Sequence, residues 1–558
     1  MNLRNTIRNL LSLYNNAQYW CVFLISLFLF QLWVGFSVVN PNNTNWLLGG
    51  DAAANYLGWE FFRDSPMTIF PLGQSPSFGT GFSSSIVFTD SIPLLAIPFK
   101  FILFAYHADF QYFGAWLLCC FLLQGFFACR LVSRVSSSAV LRISGSLLFL
   151  LAPIFLYRLT FDGYGHLALA GQFVIIAAIE TALSSEFRIY KWFVLLPTSI
   201  LINFYLFGMV LAIFLFRLIY HLVNTRQLLK NHFKLLLSST GACLVSIIAF
   251  YLAGGFSANG ATDSSYGTYR ASLTSLVDPQ AGPGTKWSKL LGDIPDLPGS
   301  SEGFSFLGFA IILLFPFMLF GLIVITRQNR RIVWFMISAI AMGLFALSPA
   351  ISIANREVFK YPIPRFVEPL FSAFRSSGRF TWPVVYVLIL LAVIGIERLR
   401  PHFPRVIFIL PLLGIFQIWD SAHATSASRQ RFSIPLYETV LIDPNWNITA
   451  RHYSHLEVIP PLNNDPNWID FALLAQKWSM TTNAAYVGRV DDAKFAELVQ
   501  LLQLQVSSLK FRQDTLYVLT NYPPNPLRPK LISLIDSPTL KSVQLLILDD
   551  FLVIAPRT

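Results

Sequence analysis

Charge is what this sequence has least of. Only 12% of its 558 residues are Asp, Glu, Lys or Arg, where about 25% is typical of soluble domains. Together with 54% hydrophobic residues and a mean hydropathy of +0.57, this excludes an ordinary soluble enzyme. Acidic residues are the scarcer sign: 29 stand against 40 Lys and Arg, a formal net charge of +11. The basic residues lie in short segments between apolar runs, where they orient a membrane protein and meet anionic lipid. No nucleic-acid partner is expected. Cysteine is sparse as well. Cys21, Cys119, Cys120, Cys129 and Cys243 fall in or at the ends of apolar runs, with no metal-ligand spacing and no disulfide framework. Neither an internal repeat nor a low-complexity tract is present, and transporters built from repeats often show one.

What is abundant is apolar length. Runs at 19–39, 112–131, 141–157, 167–184, 190–206, 207–223, 234–254, 304–326, 332–349, 380–397 and 404–419 predict about eleven transmembrane helices. The first run is too long for a signal-peptide core and has no small-residue cleavage site, so it is expected to remain as a span. Segment 91–106 is apolar but short and carries Pro93 and Pro98. If it lies flat at the surface, every basic loop falls on the inner side: Arg4/Arg8, Arg130/Arg134/Arg142, Arg188/Lys191, Arg226/Lys230/Lys234, Arg327/Arg330/Arg331 and Arg398/Arg400/Arg405. The positive-inside rule favours that arrangement. It puts the N-terminus inside and the C-terminus outside. It leaves three long outer loops, 40–111, 255–303 and 350–379, and loops of that length are uncommon unless they have a function.

From about Asp420 the composition becomes that of a soluble domain. Asp491-Asp492 is expected to cap a helix running to about Gln505, 514–520 reads as a strand, and 543–556, broken at Asp549-Asp550, reads as a hairpin. The fold class is therefore an all-α polytopic membrane domain over 1–419, with juxtamembrane helices in its first outer loop, and a C-terminal α/β domain over 420–558.

The candidate site residues lie in the outer loops. Asp51, in Gly49-Gly50-Asp51-Ala52, sits where a short helix begins. It reads either as a cap or as a carboxylate base accepting a hydroxyl proton. Asp90 opens the next surface helix as a cap, or as a second carboxylate for an acceptor or a metal ion. Arg158, Asp162 and His166 share one outer turn, where contact with a sugar or phosphate is the alternative to a packing role. Glu302 precedes a span and either caps it or lines a cavity. Loop 350–379 breaks the positive-inside pattern with Arg356, Lys360, Arg365, Arg375 and Arg379 against Glu357 and Glu368. Such cations are expected to meet loop carboxylates or an anionic headgroup, since guanidinium binds phosphate bidentately.

A first span, an outer loop opening on an Asp, two surface helices and a span ending in basic residues together resemble the GT-C superfamily of integral membrane glycosyltransferases. The stretch from Ser91-Ile92-Pro93-Leu94 to Cys129-Arg130-Leu131-Val132-Ser133-Arg134 is similar to one in protein O-mannosyltransferases and lipid A aminoarabinose transferases. Residues 49–63, 165–172 and 376–380 look like a bacterial branch of that superfamily. The resemblance implies a donor sugar on a polyprenyl phosphate and an inverting transfer to a glycan, lipid or protein acceptor. It implies Asp51 as general base and Arg379, Arg375 and Arg158 at the donor phosphate. It leaves Asp90, Asp162, His166 and Glu302 for the acceptor or for a divalent cation, Mg or Mn. The location implied is the bacterial cytoplasmic (inner) membrane, with the C-terminal domain periplasmic or extracellular. The competing expectation is a transporter or assembly factor for envelope glycans or lipids.

Overall fold

The structure is a computed structural model, which describes residues 3–67, 69–82, 84–103, 108–160, 165–224, 229–258, 266–280, 284–328, 330–434, 436–520, 528–533 and 543–557. The chain divides into two compact units, one of residues 1–40, 112–247 and 262–433, the other of 41–111, 248–261 and 434–558.

The helices are numbered along the chain: α1 (Leu3–Trp33), α2 (Gly50–Asp64), α3 (Pro93–Ile102), α4 (Phe113–Ser133), α5 (Ala139–Leu150), α6 (Phe173–Ala182), α7 (Ile189–Ile202), α8 (Phe204–Asn224), α9 (Leu229–Leu252), α10 (Phe315–Gln328), α11 (Arg330–Ala346), α12 (Trp382–Leu399), α13 (Ile409–Asp420) and α14 (Ala422–Phe432). Every expected span coincides with a helical segment. Four segments, 113–133, 204–224, 230–252 and 377–399, are long and apolar enough to cross a membrane alone. Two more are bent pairs: 139–150 with 153–159, at 43°, and 404–420 with 422–432, at 59°. The others are shorter apolar helices. The protein is thus a multi-pass membrane protein. Helix α3 spans only ten residues, half the length a crossing needs.

In the first unit, local chemistry sets the breaks. Ser138 caps α5 by accepting the Leu141 N–H. Pro153 then starts a fresh turn, because proline supplies no N–H to continue the preceding ladder. Asn203 separates α7 from α8 in an extended conformation, its side-chain oxygen accepting the Tyr205 N–H at 2.9 Å. The expected boundary at 206/207 therefore falls three residues earlier. Helices α10 and α12 pack with almost no side chain between them: a Cβ at Gly321 would collide with the Leu391 carbonyl oxygen, and one at Gly395 with that of Phe317. Small residues let spanning helices approach this closely. A hairpin of β1 (Ala350–Ile353) and β2 (Arg356–Lys360) rises from the loop after α11.

The second unit is built on a five-stranded mixed sheet of β3 (His455–Ile459), β4 (Thr481–Thr482), β5 (Thr515–Leu519), β6 (Val543–Leu548) and β7 (Phe551–Pro556), in the order β4-β3-β5-β7-β6. The β3–β5 pairing is parallel and the β6–β7 pairing is antiparallel. Helices α15 (Trp468–Lys477) and α16 (Asp492–Ser508) accompany it. Asp491 caps α16, its side chain accepting from Lys494 N at 3.2 Å. Asp549 and Asp550 turn the β6–β7 hairpin with φ of 45° and 67°, a left-handed pair that Asp tolerates. Leu502 and Val506 of α16 bury against Tyr517, Leu519 and Ile554.

This unit includes the first outer loop. Thr80 N–H donates to Thr482 O and Thr482 N–H to Ser77 O, each at 2.9 Å, and Gly488 N–H donates to Phe88 O at 2.7 Å. Phe78 stacks on Phe61 of α2 at 5.0 Å between ring centroids and meets Trp468 of α15 at 6.2 Å. The loop thereby closes the short edge strand β4, which would otherwise expose unpaired backbone.

Candidate functional site

In the first unit, two short turns cross at glycine. Turn Ser300–Gly303 and turn Ser377–Thr381 approach so closely that a Cβ at Gly378 would lie 2.5 Å from Gly303 Cα. Each glycine has a charged neighbour, Glu302 on one turn and Arg379 on the other. The crossing puts them together: Arg379 donates from Nε at 2.9 Å and from Nη2 at 2.7 Å to Glu302 Oε2.

Arg158 reaches the same oxygen, Nη2 to Oε2, at 3.2 Å. It sits at the end of the bent α5 span, buried with its guanidinium over the rings of Tyr157 and Trp382 at 5.1 and 5.4 Å. Its Nε and Nη1 are buried without hydrogen-bond partners. The turn is braced from α14: Arg431 Nη1 donates to the carbonyls of Leu159 and Thr160 at 3.2 and 3.1 Å. The guanidinium of Arg431 fills the space that a Cβ at Gly165 would take. His166 Nε2 lies 3.7 Å from Glu302 Oε1. An aromatic layer supports the crossing: Tyr157 stacks on Phe304 at 4.4 Å, Phe304 meets Trp287 at 5.5 Å, and Trp287 stacks on Trp33 at 5.7 Å.

Burial pushes the Glu302 carboxyl upward, but the Arg158 and Arg379 guanidinium groups outweigh it and hold the group well below the usual carboxylate range. Two guanidinium groups against one carboxylate leave the centre net positive. Arg379 also lies over the Tyr205 ring at 4.4 Å, and the Tyr205 hydroxyl accepts the Ser376 N–H at 3.1 Å. Arg375 takes a separate position over Tyr269 at 5.9 Å. Of the other loop cations, Arg356, Lys360 and Arg365 are exposed, and Glu357 is taken by Arg270 at 2.5 Å.

The structure therefore gathers Arg158, His166 and Arg379 around the carboxylate of Glu302. Asp162 lies outside the described residues. Sequence reasoning missed Tyr205, Trp382 and Arg431. The only signals they carried were aromatic rings beside spans and a basic residue after the last one.

In the second unit, Asp51 is buried in the first turn of α2. The N-cap is Gly49, extended at φ −175°, and it makes no side-chain cap bond. Gly50 follows at φ +56°, a conformation that favours glycine. The N-cap position, one of the two readings of Asp51, thus belongs to Gly49, and Asp51 lies in the first turn of the helix. Asn55, one turn on, donates from Nδ2 to Thr89 O at 2.8 Å and accepts from Ser91 Oγ through its backbone carbonyl at 2.8 Å. Those two residues flank Asp90, so the Asp90 turn is tied to the helix that carries Asp51. Asp90 and Ile92 both have positive φ, 52° and 53°. Ile92, rather than Asp90, is the N-cap of α3, because the chain turns twice in the left-handed region before that helix starts.

Farther along α2, Glu60 is buried and pairs with Arg63 at 2.8 Å. Burial raises its carboxyl to about 8, a rise that Arg63 offsets only in part. Among the described residues, no group of three or more His, Cys, Asp and Glu side chains comes together to hold a metal ion.

Fold and site define a class: a multi-pass membrane protein carrying a buried, net-positive arginine–glutamate centre at the ends of its apolar segments. The chain belongs to the family described as domain of unknown function DUF6311, which matches residues 23–422, and the DUF6311 C-terminal domain matches residues 445–536. No curated protein matches the sequence. Among solved structures, the crystal structure of ArnT from Cupriavidus metallidurans in the apo state is similar at 13% identity and a TM-score of 0.49, with 97% of this chain and 100% of that chain covered.

Proposed function

We propose that this protein is a membrane glycosyltransferase of the GT-C type, moving a sugar from a polyprenyl-phosphate donor to a cell-surface glycan, lipid or protein acceptor at the outer face of the cytoplasmic membrane. The observation that carries the reading is the Arg158–Glu302–Arg379 centre. Guanidinium groups held out of water by one carboxylate and by aromatic rings are preorganised for a phosphate. Their surplus positive charge suits a leaving group that gains negative charge.

In this reading Asp51 removes the proton of an acceptor hydroxyl. The oxygen attacks the anomeric carbon from the side opposite the phosphate, and a new glycosidic C–O bond forms. The C–O bond to the phosphate breaks, and its electron pair leaves with the polyprenyl phosphate, so the anomeric configuration inverts. Arg379 and Arg158 stabilise that phosphate, with Arg375 as a further cation on the same loop.

The test is turnover by the purified protein in nanodiscs supplied with polyprenyl-phosphate-linked hexoses and envelope lipid extracts, with released polyprenyl phosphate measured by mass spectrometry. Asp51→Asn is expected to lower the rate by about 100-fold or more, a typical loss for general-base removal, while the melting temperature is retained. Full activity in that variant removes Asp51 as the base. No release by the wild-type protein, with an unchanged envelope glycan profile in cells lacking the gene, rejects the transferase reading.

A further inference from the structure

Helix α8 carries a second arginine environment far from the first. Tyr205, near its N-terminal end, is the ring under Arg379. Twelve residues later, about 18 Å along a helix axis, stands Arg217. The charge is unusual for its place, since ionisable residues inside spanning helices are rare and tend to be functional.

Arg217 is 6% exposed. Its Nη2 donates to Ser184 O at 3.3 Å, and the rings of Phe187 and Tyr220 lie 5.4 and 5.3 Å from its guanidinium carbon. Its Nε and Nη1 are buried with no hydrogen-bond partner. Among the described residues no carboxylate offsets it: the groups acting on it are a second cation, Arg331 at the start of α11, and the Tyr220 hydroxyl. His221, one turn along α8, packs on Phe187 at 5.2 Å and stands within electrostatic reach of Arg217 and His232. His232, on α9, has a buried Nε2 without a partner.

A planar fork with two unmet donor atoms, with a second guanidinium and two imidazoles near it and no carboxylate among the described residues, matches the bidentate geometry of a phosphate. Beside it the surface is apolar. Leu215, Ile219 and Val223 of α8 and Phe233, Leu236 and Leu237 of α9 are exposed, as suits a ligand with acyl or polyprenyl tails. Basic pockets between spanning helices are a recurrent way of holding anionic headgroups.

We propose that Arg217, with Arg331, His221 and His232, forms a binding site for a phosphate-bearing anion near the C-terminal end of α8, separate from the Arg158–Glu302–Arg379 centre. The phosphate is either that of a lipid headgroup or free phosphate. The inference does not depend on the transferase reading.

The test uses the full-length protein in detergent, with dioleoyl phosphatidylglycerol compared against dioleoylglycerol, which has the same tails and no phosphate. Dissociation constants come from native mass spectrometry. The wild-type protein is expected to bind the phospholipid at least 10-fold more tightly than dioleoylglycerol, and Arg217→Gln is expected to lose at least 10-fold of that preference at an unchanged melting temperature. Competition by millimolar inorganic phosphate identifies free phosphate as a ligand of the site, and absence of competition assigns the site to the lipid headgroup. Should Arg217→Gln not fold, Arg331→Gln at the helix start serves in its place, with a loss of at least threefold expected. A folded variant that keeps the full preference, or a wild-type protein that shows none, overturns the proposal.

Discussion

Arg379 places two N–H groups on a single oxygen of Glu302, and Arg158 places a third on the same atom. The carboxylate is the hub of the centre and the arginines are its spokes. Removing the hub should therefore be worse than removing a spoke.

Glu302→Gln is expected to destabilise the protein by about 3–5 kcal/mol, the usual cost of breaking a buried pair, because two buried guanidinium groups lose their counter-charge. The sign of the pH dependence follows from the depressed carboxyl. Its contribution is fully present above the ordinary value of 4.5 and is lost progressively as pH falls from there to the much lower folded value. Thermal melting in detergent between pH 7 and 3 reads both effects. A Glu302→Gln protein that melts like the wild type shows that the centre does not hold the fold together.

Arg379→Ala leaves Glu302 with Arg158 and with His166 at 3.7 Å, so the carboxylate keeps a partner and the fold is expected to survive. Under the proposed function, the KM for a polyprenyl-phosphate donor should rise by about 10-fold or more, the weight of a lost charge-assisted contact. Donor titrations in nanodiscs measure it. An unchanged KM removes Arg379 from the phosphate.

Glu60 gives the opposite pH sign. Its folded value, raised by burial to about 8, means that the folded protein holds a proton the unfolded chain releases. Stability therefore falls as pH rises from about 4.5 to about 8. Glu60→Gln removes the titration and keeps a polar partner for Arg63. The variant should become the more stable of the two by several kcal/mol above pH 8. Parallel melting curves at pH 6 and pH 9 decide it, and equal pH slopes in the two proteins refute it.

Gly321→Ala is a one-carbon change that nothing in α10 predicts to be harmful, since alanine is the better helix former. The added Cβ would nevertheless meet the backbone oxygen of Leu391, which cannot move without shifting α12. Overpacking of this kind costs about 1–3 kcal/mol or more. Fluorescence-detected size-exclusion chromatography is expected to show a lower yield of monodisperse protein, and Gly343→Ala, whose Cβ has only Val384 nearby at 3.3 Å, is the milder control.

What the sequence made legible was local or periodic. The apolar runs foretold the helices. Asp491 capped its helix, 514–520 held a strand at Thr515–Leu519, and the hairpin turned at Asp549-Asp550. The β1–β2 hairpin was overlooked because the alternation in Ala350–Lys360 lay inside a loop read for its charges. The centre at Glu302 was out of reach for a different reason. Its partners are 144 and 77 residues away, and each alone reads as a cap or a solvated charge. Asp51 was legible as a carboxylate on a glycine turn. That the cap would be Gly49 depended on backbone angles that a Gly-Gly pair leaves open. Arg217 went unremarked inside a run read as a span, although a lone arginine there is itself a signal.

The backbone bonds joining residues 77–88 to Thr482 and Gly488 have a topological consequence. They join the loop that follows the Asp51 helix to a sheet whose last strand lies about five hundred residues downstream of Asp51. The loop that follows Asp51 therefore completes its pairing only with residues about four hundred positions later in the chain.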